Sequence, residues 1–346
     1  MSGPARPLAE VDDPALDAGV IADGPLIEWN GWQAVRRHGG TAILPWRSDY
    51  LTATAAGITA EPAGGTPSGS FTQALVRIQK GRDATWSDLM SSWSALAEGG
   101  RLLVTGGNDL GIATWIKRLG ERIGQTGQVL ANHSRARVAL FHRRGRPRDD
   151  WPGFVQSVPL WRALPGQPSP PWVEANPGMF SSSALDAGTA LLIDRLVDEA
   201  PTAQALDLGC GAGHLGLNVL WRWPQAQVLF VDADCRAYEA VLTNLGGDFR
   251  HLRERATAVW WDVSEPLPRT GFDLVMLNPP CHAGVANDLT IARAMFRIAV
   301  AALVPGGRLL VVANRQLPYE RDLVALGAVD TPVEQDGFKI LRLRRG

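Results

Sequence analysis

The eight residues Leu206–Gly213, sequence LDLGCGAG, stand between a short apolar run and a helical pattern. Glycines at such a strand-to-helix turn let the chain bend tightly and leave room for a ligand beside the backbone. A nucleotide-phosphate loop of the Gly-x-Gly-x-x-Gly type would carry its third glycine at position 214, where His214 stands. The turn therefore predicts an α/β sheet with a ligand site at the carboxyl ends of its strands.

An acidic residue followed by glycines at 209, 211 and 213 is typical of class I S-adenosylmethionine binding, because that ligand brings a carboxylate and an amine. Asp207 is expected to organise the loop near the amine, although an ordinary tight turn is the alternative. Asp232, about 20 residues downstream, is placed to accept both ribose hydroxyls. Asp262 follows the next strand and suits the adenine amine, whereas Asp234 fits a helix N-cap. The predicted cofactor contacts are Asp207, Gly209, Cys210, Gly211, Gly213, Asp232, Ala233, Asp262, Val263 and Asn278.

The triplet Asn278-Pro279-Pro280 follows the predicted strand Leu274–Leu277 and is the second informative motif. Two consecutive prolines have no backbone N–H, so this wall offers only acceptors: the Asn278 amide oxygen and backbone carbonyls. An NH₂ group conjugated to a heteroaromatic ring is a poor nucleophile, and two acceptors can hold its hydrogens and orient its lone pair. Catalysis would then come mostly from orientation. Asn278 and Pro279 are the predicted catalytic residues, with a rigid Pro-Pro turn as the alternative.

The second half alternates helix and strand patterns, which predicts a mainly parallel sheet with helices on both faces. The expected helices are Thr189–Ala200, Leu215–Arg222, Tyr238–Leu245 and Thr290–Leu303, and the expected strands are Ala205–Leu208, Val228–Val231, Ala258–Trp261, Leu274–Leu277 and Arg308–Ala313. Val329–Glu334 and Phe338–Leu343 resemble an antiparallel hairpin turning at Asp336-Gly337.

An internal repeat divides the chain. The pattern Ala-Leu-x-x-Gly-Gly-Arg-Leu-Leu-Val occurs at Ala95–Val104 and again at Ala302–Val311. Each copy follows a helix pattern and a short strand, so the first half is expected to be a shorter duplicate of the same architecture. Aligning the copies places Gln79-Lys80-Gly81 opposite the Asn-Pro-Pro triplet. The expected domains are residues 1–150 and 177–346, joined by a Pro-rich connector at 151–176 with one strand within 154–164.

Composition narrows the class of protein. A chain of 346 residues suits two domains, and no stretch approaches the roughly 20 apolar residues of a membrane span. The first residues lack the apolar run of a signal peptide, and three cysteines without metal spacing favour a reducing cytoplasm. The net charge of −1 argues against indiscriminate coating of nucleic acid but permits local basic patches. We expect a cytoplasmic monomer without a metal or membrane partner.

Several further motifs resemble the bacterial ribosomal RNA guanine-N2 methyltransferases, above all the small-subunit methyltransferase C type. The resemblance rests on PGMFS at 177–181, Leu185-Asp186, the glycine loop, the Asn-Pro-Pro triplet with His282 and Gly284, VAN at 312–314 and LPY at 317–319. It implies two tandem Rossmann-like class I methyltransferase domains, of which the first is a non-catalytic scaffold or recognition domain. It also implies methylation of a guanine N2 amine, with 16S ribosomal RNA or the ribosomal subunit as partner.

The resemblance implies substrate contacts at Pro280, Cys281, His282, Arg315 and Tyr319. Cys281 departs from the family, which carries a base-stacking aromatic residue after Asn-Pro-Pro. Two alternatives stay open: methylation of a protein glutamine amide, and a non-catalytic ribosome-assembly factor with a vestigial cofactor pocket. For RNA phosphates the densest basic cluster is Arg135, Arg137, Arg143, Arg144, Arg146 and Arg148, which is equally compatible with a solvated loop. The smaller cluster Lys339, Arg342, Arg344 and Arg345 fits strand-edge charges better.

Overall fold

The computed structural model describes residues 10–63, 67, 70–145, 155–162, 169–280 and 286–346. The chain forms two compact units, one containing residues 10–145 and the other residues 155–346 of this described part. Among the described residues, no helix is both long enough and apolar enough to span a bilayer.

The first unit is built on a seven-stranded sheet in the order β3-β2-β1-β4-β5-β7-β6. Its strands are β1 (Leu26–Trp29), β2 (Thr41–Leu44), β3 (Ala60–Pro62), β4 (Phe71–Arg77), β5 (Leu96–Gly107), β6 (Gln128–His133) and β7 (Ala136–His142). Its α-helices are α1 (Gln33–His38), α2 (Arg47–Ala55), α3 (Arg82–Ala95) and α4 (Ile112–Ile123). The first five strands run parallel, and β7 pairs antiparallel with both β5 and β6.

The second unit repeats this plan with the order β12-β11-β10-β13-β14-β16-β15. Its strands are β8 (Gln156–Pro159), β9 (Trp172–Ala175), β10 (Gln204–Leu208), β11 (Gln227–Asp232), β12 (Ala256–Trp260), β13 (Phe272–Leu277), β14 (Leu303–Asn314), β15 (Ala328–Gln335) and β16 (Phe338–Arg344). Its α-helices are α5 (Ala187–Arg195), α6 (His214–Arg222), α7 (Cys235–Gly246), α8 (Ala286–Ala302) and α9 (Tyr319–Val324). The predicted alternation is confirmed, with boundaries shifted by a few residues.

The predicted duplication is confirmed strand by strand, because the two sheets have the same order and the same antiparallel end. Phe71 pairs with Leu96 at the start of β5, as Phe272 pairs with Leu303 at the start of β14. Within the repeated motif, Gly99 and Gly306 have nearly the same left-handed φ, 77° and 78°. Only glycine adopts this conformation without a steric cost, which explains why both copies keep it.

The apolar strands of the second unit are buried on both faces of the sheet. Ala205 packs into one core cluster while Leu206 and Leu208 pack into the other, because successive side chains alternate across a strand. The predicted terminal hairpin is confirmed: Asp336 (φ 53°) and Gly337 (φ 82°) form a two-residue turn whose positive φ values match strand twist.

The Pro-rich segment contributes structure to the second unit. β8 lies inside the stretch where one strand was expected, and it pairs antiparallel with β9, which was not predicted. Val158 and Val173 are fully buried in the same cluster as α6 and α7 side chains. Hydrogen bonds between Asn244 and the backbone of Glu174 fix β9 to α7.

Candidate active site

The glycine loop joins β10 to α6 at the carboxyl edge of the sheet. Gly209, Gly211 and Gly213 all have left-handed φ values, 74°, 53° and 88°. A side chain at Gly213 would also press on Val241 and Phe230, 3.1 and 3.3 Å from an added Cβ. The loop therefore brings bare backbone to the amino-terminal end of α6, which is a favourable place for an anionic group of a ligand.

Two buried carboxylates support this loop from below. Asp207 on β10 accepts a hydrogen bond from the Gly216 N–H at 2.8 Å, whereas its Oδ1 is buried and has no hydrogen-bond partner among the described residues. Asp232, at the end of β11, accepts from the N–H groups of Gly211 (2.8 Å) and Asp234 (2.9 Å). Asp207 therefore contacts α6, just after the glycine loop, whereas Asp232 is hydrogen-bonded to the glycine loop itself.

The pKa values of both carboxyl groups are raised. Burial raises the pKa of Asp207 to about 8, against the hydrogen bond from Gly216, and the charge of Asp232 adds to the rise. Burial also raises the pKa of Asp232 to about 6. A ligand with positive charge would stabilise the ionised forms, so the buried Asp207 oxygen and the glycine loop fit the ammonium and carboxylate of S-adenosylmethionine.

Asn278 is held in one orientation just beyond the end of β13. Its Nδ2 donates to Asp186 Oδ2 and to Thr189 Oγ1, each at 2.9 Å. A carboxylate can only accept, so the NH₂ group must face Asp186 and the amide oxygen must face the other way. Asp186 is itself fixed as the N-cap of α5, where it accepts from the Thr189 N–H at 2.8 Å. The oxygen of Asn278 is therefore presented as a rigid acceptor.

A pocket brings the two motifs together. It is lined by Phe180, Ser181, Leu185, Asp186, Thr189, Gly209, Cys210, Gly211, Ala212, His214, Leu215 and Asn278. Of the predicted site residues, Gly209, Cys210, Gly211 and Asn278 meet here, with Asp207 and Asp232 bonded to the adjoining backbone. Sequence reasoning missed the roles of Asp186, Thr189 and His214. Aspartate is a favoured N-cap residue, which could have indicated the cap of α5 but not the contact of Asp186 with Asn278.

His214 and Cys210 enter the pocket as neutral groups. Burial lowers the pKa of His214 to about 4, against the charge of Asp186. Burial also raises the pKa of the Cys210 thiol, with Asp232 and Asp207 adding to the rise.

The remaining predicted cofactor residues lie at the ends of β11 and β12. The Ala233 carbonyl accepts from Trp260 Nε1 at 2.9 Å, which ties the two strand ends together. Asp262 accepts from the N–H (2.9 Å) and hydroxyl (2.6 Å) of Ser264, and Val263 packs against the core. Asp234 is the N-cap of α7, as expected, and accepts from the Arg236 N–H.

The structure places the predicted substrate residues, and the predicted catalytic residue Pro279, in different surroundings. Pro279 is buried and Pro280 half-buried beside Asn278, whereas Cys281 and His282 lie outside the described residues. Arg315 is exposed and lies 3.6 Å from Glu334. Tyr319 is 1% exposed and packs edge-on against Phe296 at 5.0 Å, so its ring serves the core and offers no open face for a base.

The predicted arginine cluster does not form one patch in its described part. Arg135 lies in the turn before β7, whereas Arg143 and Arg144 follow the other end of that strand. Arg143 is paired with Glu98 at 2.8 Å. In the tail, Lys339 is buried and donates to the carbonyls of Arg315 and Leu317, a structural role that agrees with the strand-edge interpretation.

The equivalent site of the first unit is filled by an arginine. Glu28 on β1 pairs with Leu75 as Asp207 on β10 pairs with Met276, so the two acids are equivalent. Arg77 donates through Nε to Glu28 at 2.8 Å and lies 2.6 Å from Asp13 through Nη1. The connection after β1 has three residues, 30–32, where the glycine loop has five, 209–213.

The structure corrects the alignment of the two copies by two residues. Val76 pairs with Val104 as Leu277 pairs with Val311, so Val76 and Leu277 are equivalent. The next residue is Arg77 in the first copy and Asn278 in the second. Gln79-Lys80-Gly81 therefore lies two residues beyond the position predicted for it. The error arose because the repeated Gly-Gly motif fixes β5 and β14 but not the length of the segments before them.

The fold and this site define a class I S-adenosylmethionine-dependent methyltransferase. A family model described as "Methyltransferase small domain" matches residues 171–342. The chain is 32% identical to ribosomal RNA small subunit methyltransferase C of Pseudomonas fluorescens, over 96% of this chain and 94% of that protein. It is 30% identical to the protein of the same name from Pseudomonas entomophila, over 96% and 95%. The chain belongs to the ribosomal RNA small subunit methyltransferase C family.

A solved structure of the same family covers both units. It is the T. thermophilus 16S rRNA N2 G1207 methyltransferase in complex with AdoMet and guanosine. The TM-score is 0.79 at 25% identity, with 94% of this chain and 90% of that chain covered. The tandem architecture is therefore shared over nearly the whole length of the two proteins.

Cofactor binding is predicted to release a proton near pH 7. Free Asp207, with a pKa of about 8, is mostly protonated at that pH, and a positively charged ligand lowers this pKa. Titration calorimetry at pH 7 in two buffers with different ionisation enthalpies should show about one proton released per bound S-adenosylmethionine. Asp207→Asn, which keeps an acceptor for Gly216, should abolish the release. No proton release in the parent protein would contradict the assignment.

Proposed function

We propose that this chain transfers a methyl group from S-adenosylmethionine to the exocyclic N2 amine of a guanine in 16S ribosomal RNA. The observation that carries the proposal is the fixed acceptor oxygen of Asn278, whose NH₂ group is taken up by Asp186 and Thr189. Pro279 and Pro280 follow it without any backbone N–H. A planar substrate amine can donate hydrogen bonds to these acceptors. A base edge that presents a carbonyl oxygen would find no hydrogen-bond donor in this wall.

The residues of the wall act mainly by orientation. The guanine amine is a weak nucleophile because its lone pair is delocalised into the ring. Acceptance of its N–H groups by Asn278 and a neighbouring carbonyl favours the geometry in which the lone pair is available for attack. S-adenosylmethionine, when bound, supplies the electrophilic methyl group.

The cofactor is assigned to the glycine loop and the three acids at the strand ends. Asp207 would face the amine, Asp232 the ribose hydroxyls and Asp262 the adenine amine, with Gly209, Cys210, Gly211, Gly213, Ala233 and Val263 around them. The orphaned oxygen of Asp207 and the bare backbone of the loop support this assignment. The complex of the family relative from T. thermophilus holds both AdoMet and guanosine, which supports the assignment of this cofactor together with a guanine substrate.

The first unit is proposed to be a non-catalytic scaffold or recognition domain. Its equivalent acid, Glu28, already carries an arginine partner and two backbone N–H donors, from Ala34 and Val35. The connection between β1 and α1 is also too short to form a glycine loop like the one in the second unit. We expect one cofactor per chain.

The enzyme is further proposed to act in the cytoplasm as a monomer without a metal ion. Ribosomal RNA is the substrate of the family, and the orientation of a neutral amine does not call for a Lewis acid. Both faces of each sheet are already covered by apolar clusters of the same chain, which leaves the cores complete without a second copy.

Methyl transfer from labelled cofactor tests the proposal directly. Small subunits, large subunits and protein-free ribosomal RNAs should be prepared from a strain that lacks this gene and incubated with the purified protein. We expect label in 16S RNA and, after digestion, in N2-methylguanosine. Label confined to protein would reject the proposal in favour of glutamine methylation, and tight cofactor binding with no transfer would favour an assembly factor.

A further inference from the structure

An exposed aromatic cluster lies at the far end of α6 from the pocket. The aromatic platform consists of Trp161, Trp221 and His251. Trp221 contacts the other two rings edge-to-face, with its centroid 5.7 Å from that of Trp161 and 5.8 Å from that of His251 and interplanar angles of 60° and 75°. Trp221 is 48% exposed although it is in the last turn of the helix and touches buried Phe249 beneath. Large exposed aromatic groups that already contact one another mark a binding surface more often than isolated ones do.

The platform is rigid. Arg255 ties the 3-10 helix Arg250–Arg255 to the end of α6 by donating to the carbonyls of Leu220, Trp223 and Ala226, at 2.9 to 3.1 Å. This clamp holds His251 against Trp221. A stacking surface of this kind loses little side-chain freedom when a ligand binds, because its rings are already fixed.

Charged residues of both signs flank the platform, with arginines in a small majority. Arg222, Arg250 and Arg253 are exposed, and within the described chain none of them takes part in an ion pair. Asp248 and Glu254 lie among them, so the local excess of positive charge is small. Stacking is therefore the main contribution, and the arginines add contacts to phosphates. Bases and phosphates together are the chemistry of an RNA strand, and RNA is the substrate class of the proposed function.

We propose that the aromatic platform is a second RNA-docking surface that stacks unpaired bases of the substrate away from the target guanine. The proposal rests on the proposed function, because it assigns the platform to the same substrate. His214 lines the pocket and Trp221 is seven residues further along α6, about 10 Å along the helix axis. An RNA that reaches both would lie along one side of the second unit.

Replacement of the central ring tests the proposal. Trp221→Leu should raise the KM for small subunits and the Kd for protein-free 16S RNA by about fivefold to tenfold, without changing the affinity for S-adenosylmethionine. Trp221→Phe should keep most of the binding, because it keeps a stacking face. Arg222→Ala should reduce the slope of log Kd against log salt concentration by about one, the value expected for the loss of one phosphate contact.

Val324→Ala is the control, since Val324 is 62% exposed at the end of α9, a helix whose buried residues belong to the other core cluster of this unit. Unchanged RNA binding by Trp221→Leu would overturn the proposal, as would an equal loss in Val324→Ala. Loss of affinity for subunits with normal affinity for protein-free RNA would assign the surface to a ribosomal protein instead. Circular dichroism and cofactor affinity verify folding, and a parent protein that methylates no RNA would refute the proposed function separately.

Discussion

Asn278→Ala should lower the rate of methyl transfer by at least about a hundredfold and leave the affinity for S-adenosylmethionine within a few fold. In the proposed mechanism the side chain supplies the acceptor that orients the substrate amine, while the buried acids and the glycine loop bind the cofactor independently. The measurement is single-turnover transfer to small subunits, with the cofactor Kd from calorimetry. The effect should appear in kcat, because orientation matters most as the methyl group moves.

Two further variants separate orientation from binding. Asp232→Ala should show the reverse pattern, with a weakened cofactor Kd and a transfer rate that recovers at saturating cofactor. Asp186→Ala frees the Asn278 amide to rotate, so it should lower kcat by a smaller factor than Asn278→Ala. Near-normal transfer by Asn278→Ala on its true substrate would refute the amine-holding mechanism.

Much of the fold could be predicted because its signals are local. Apolar strands alternate with amphipathic helices, the glycine loop marks one strand-to-helix turn, and Asp336-Gly337 marks the last hairpin. The repeated Gly-Gly-Arg motif revealed the duplication because the two glycines with a φ near 77° must be kept for steric reasons. The glycine loop and Asn278 could be placed in one pocket because both follow parallel strands, whose carboxyl ends meet at one edge.

The contacts that set the chemistry were not predictable in the same way, because they are distant in sequence. Asp186 and Asn278 are 92 residues apart, and nothing in either local pattern indicates that they meet. Tyr319 stands in a motif that resembles a substrate loop, yet its ring is buried in the core. Burial depends on how α9 packs against α8, which periodicity does not determine.

The same limit explains Arg77. An arginine at the end of a strand is usually a solvated charge. The first unit was expected to be non-catalytic only because it lacks the glycine loop and the Asn-Pro-Pro triplet. In the structure the guanidinium lies over Gly31, where an added Cβ would clash with Arg77 Nε, and it pairs with Glu28, the acid equivalent to Asp207. This arrangement supports the proposal that the first unit binds no cofactor.

Arg77→Met should therefore destabilise the first unit by about 3–5 kcal/mol. Methionine retains much of the volume, but it leaves Glu28 and Asp13, which are 0% and 3% exposed, without a counter-charge. Because a chain of two units need not unfold in one step, the measurement should be local. Hydrogen exchange of β1 and β4 in increasing urea reports the first unit, and the same measurement on β10 and β13 should show no change.

The matched control is Arg82→Met in the same unit, which removes an exposed arginine that lies 3.8 Å from Asp83. An exposed pair contributes about 1 kcal/mol or less, so this variant should barely change the exchange. Combining Arg77→Met with Glu28→Gln and Asp13→Asn should recover most of the lost stability, because no uncompensated charge then remains and the new amide oxygen at position 28 can still accept from the N–H groups of α1. An equal, small effect of both single variants would show that Arg77 merely fills space. A large loss that the triple variant reverses would show that the first copy depends on an internal cation beside the acid equivalent to Asp207.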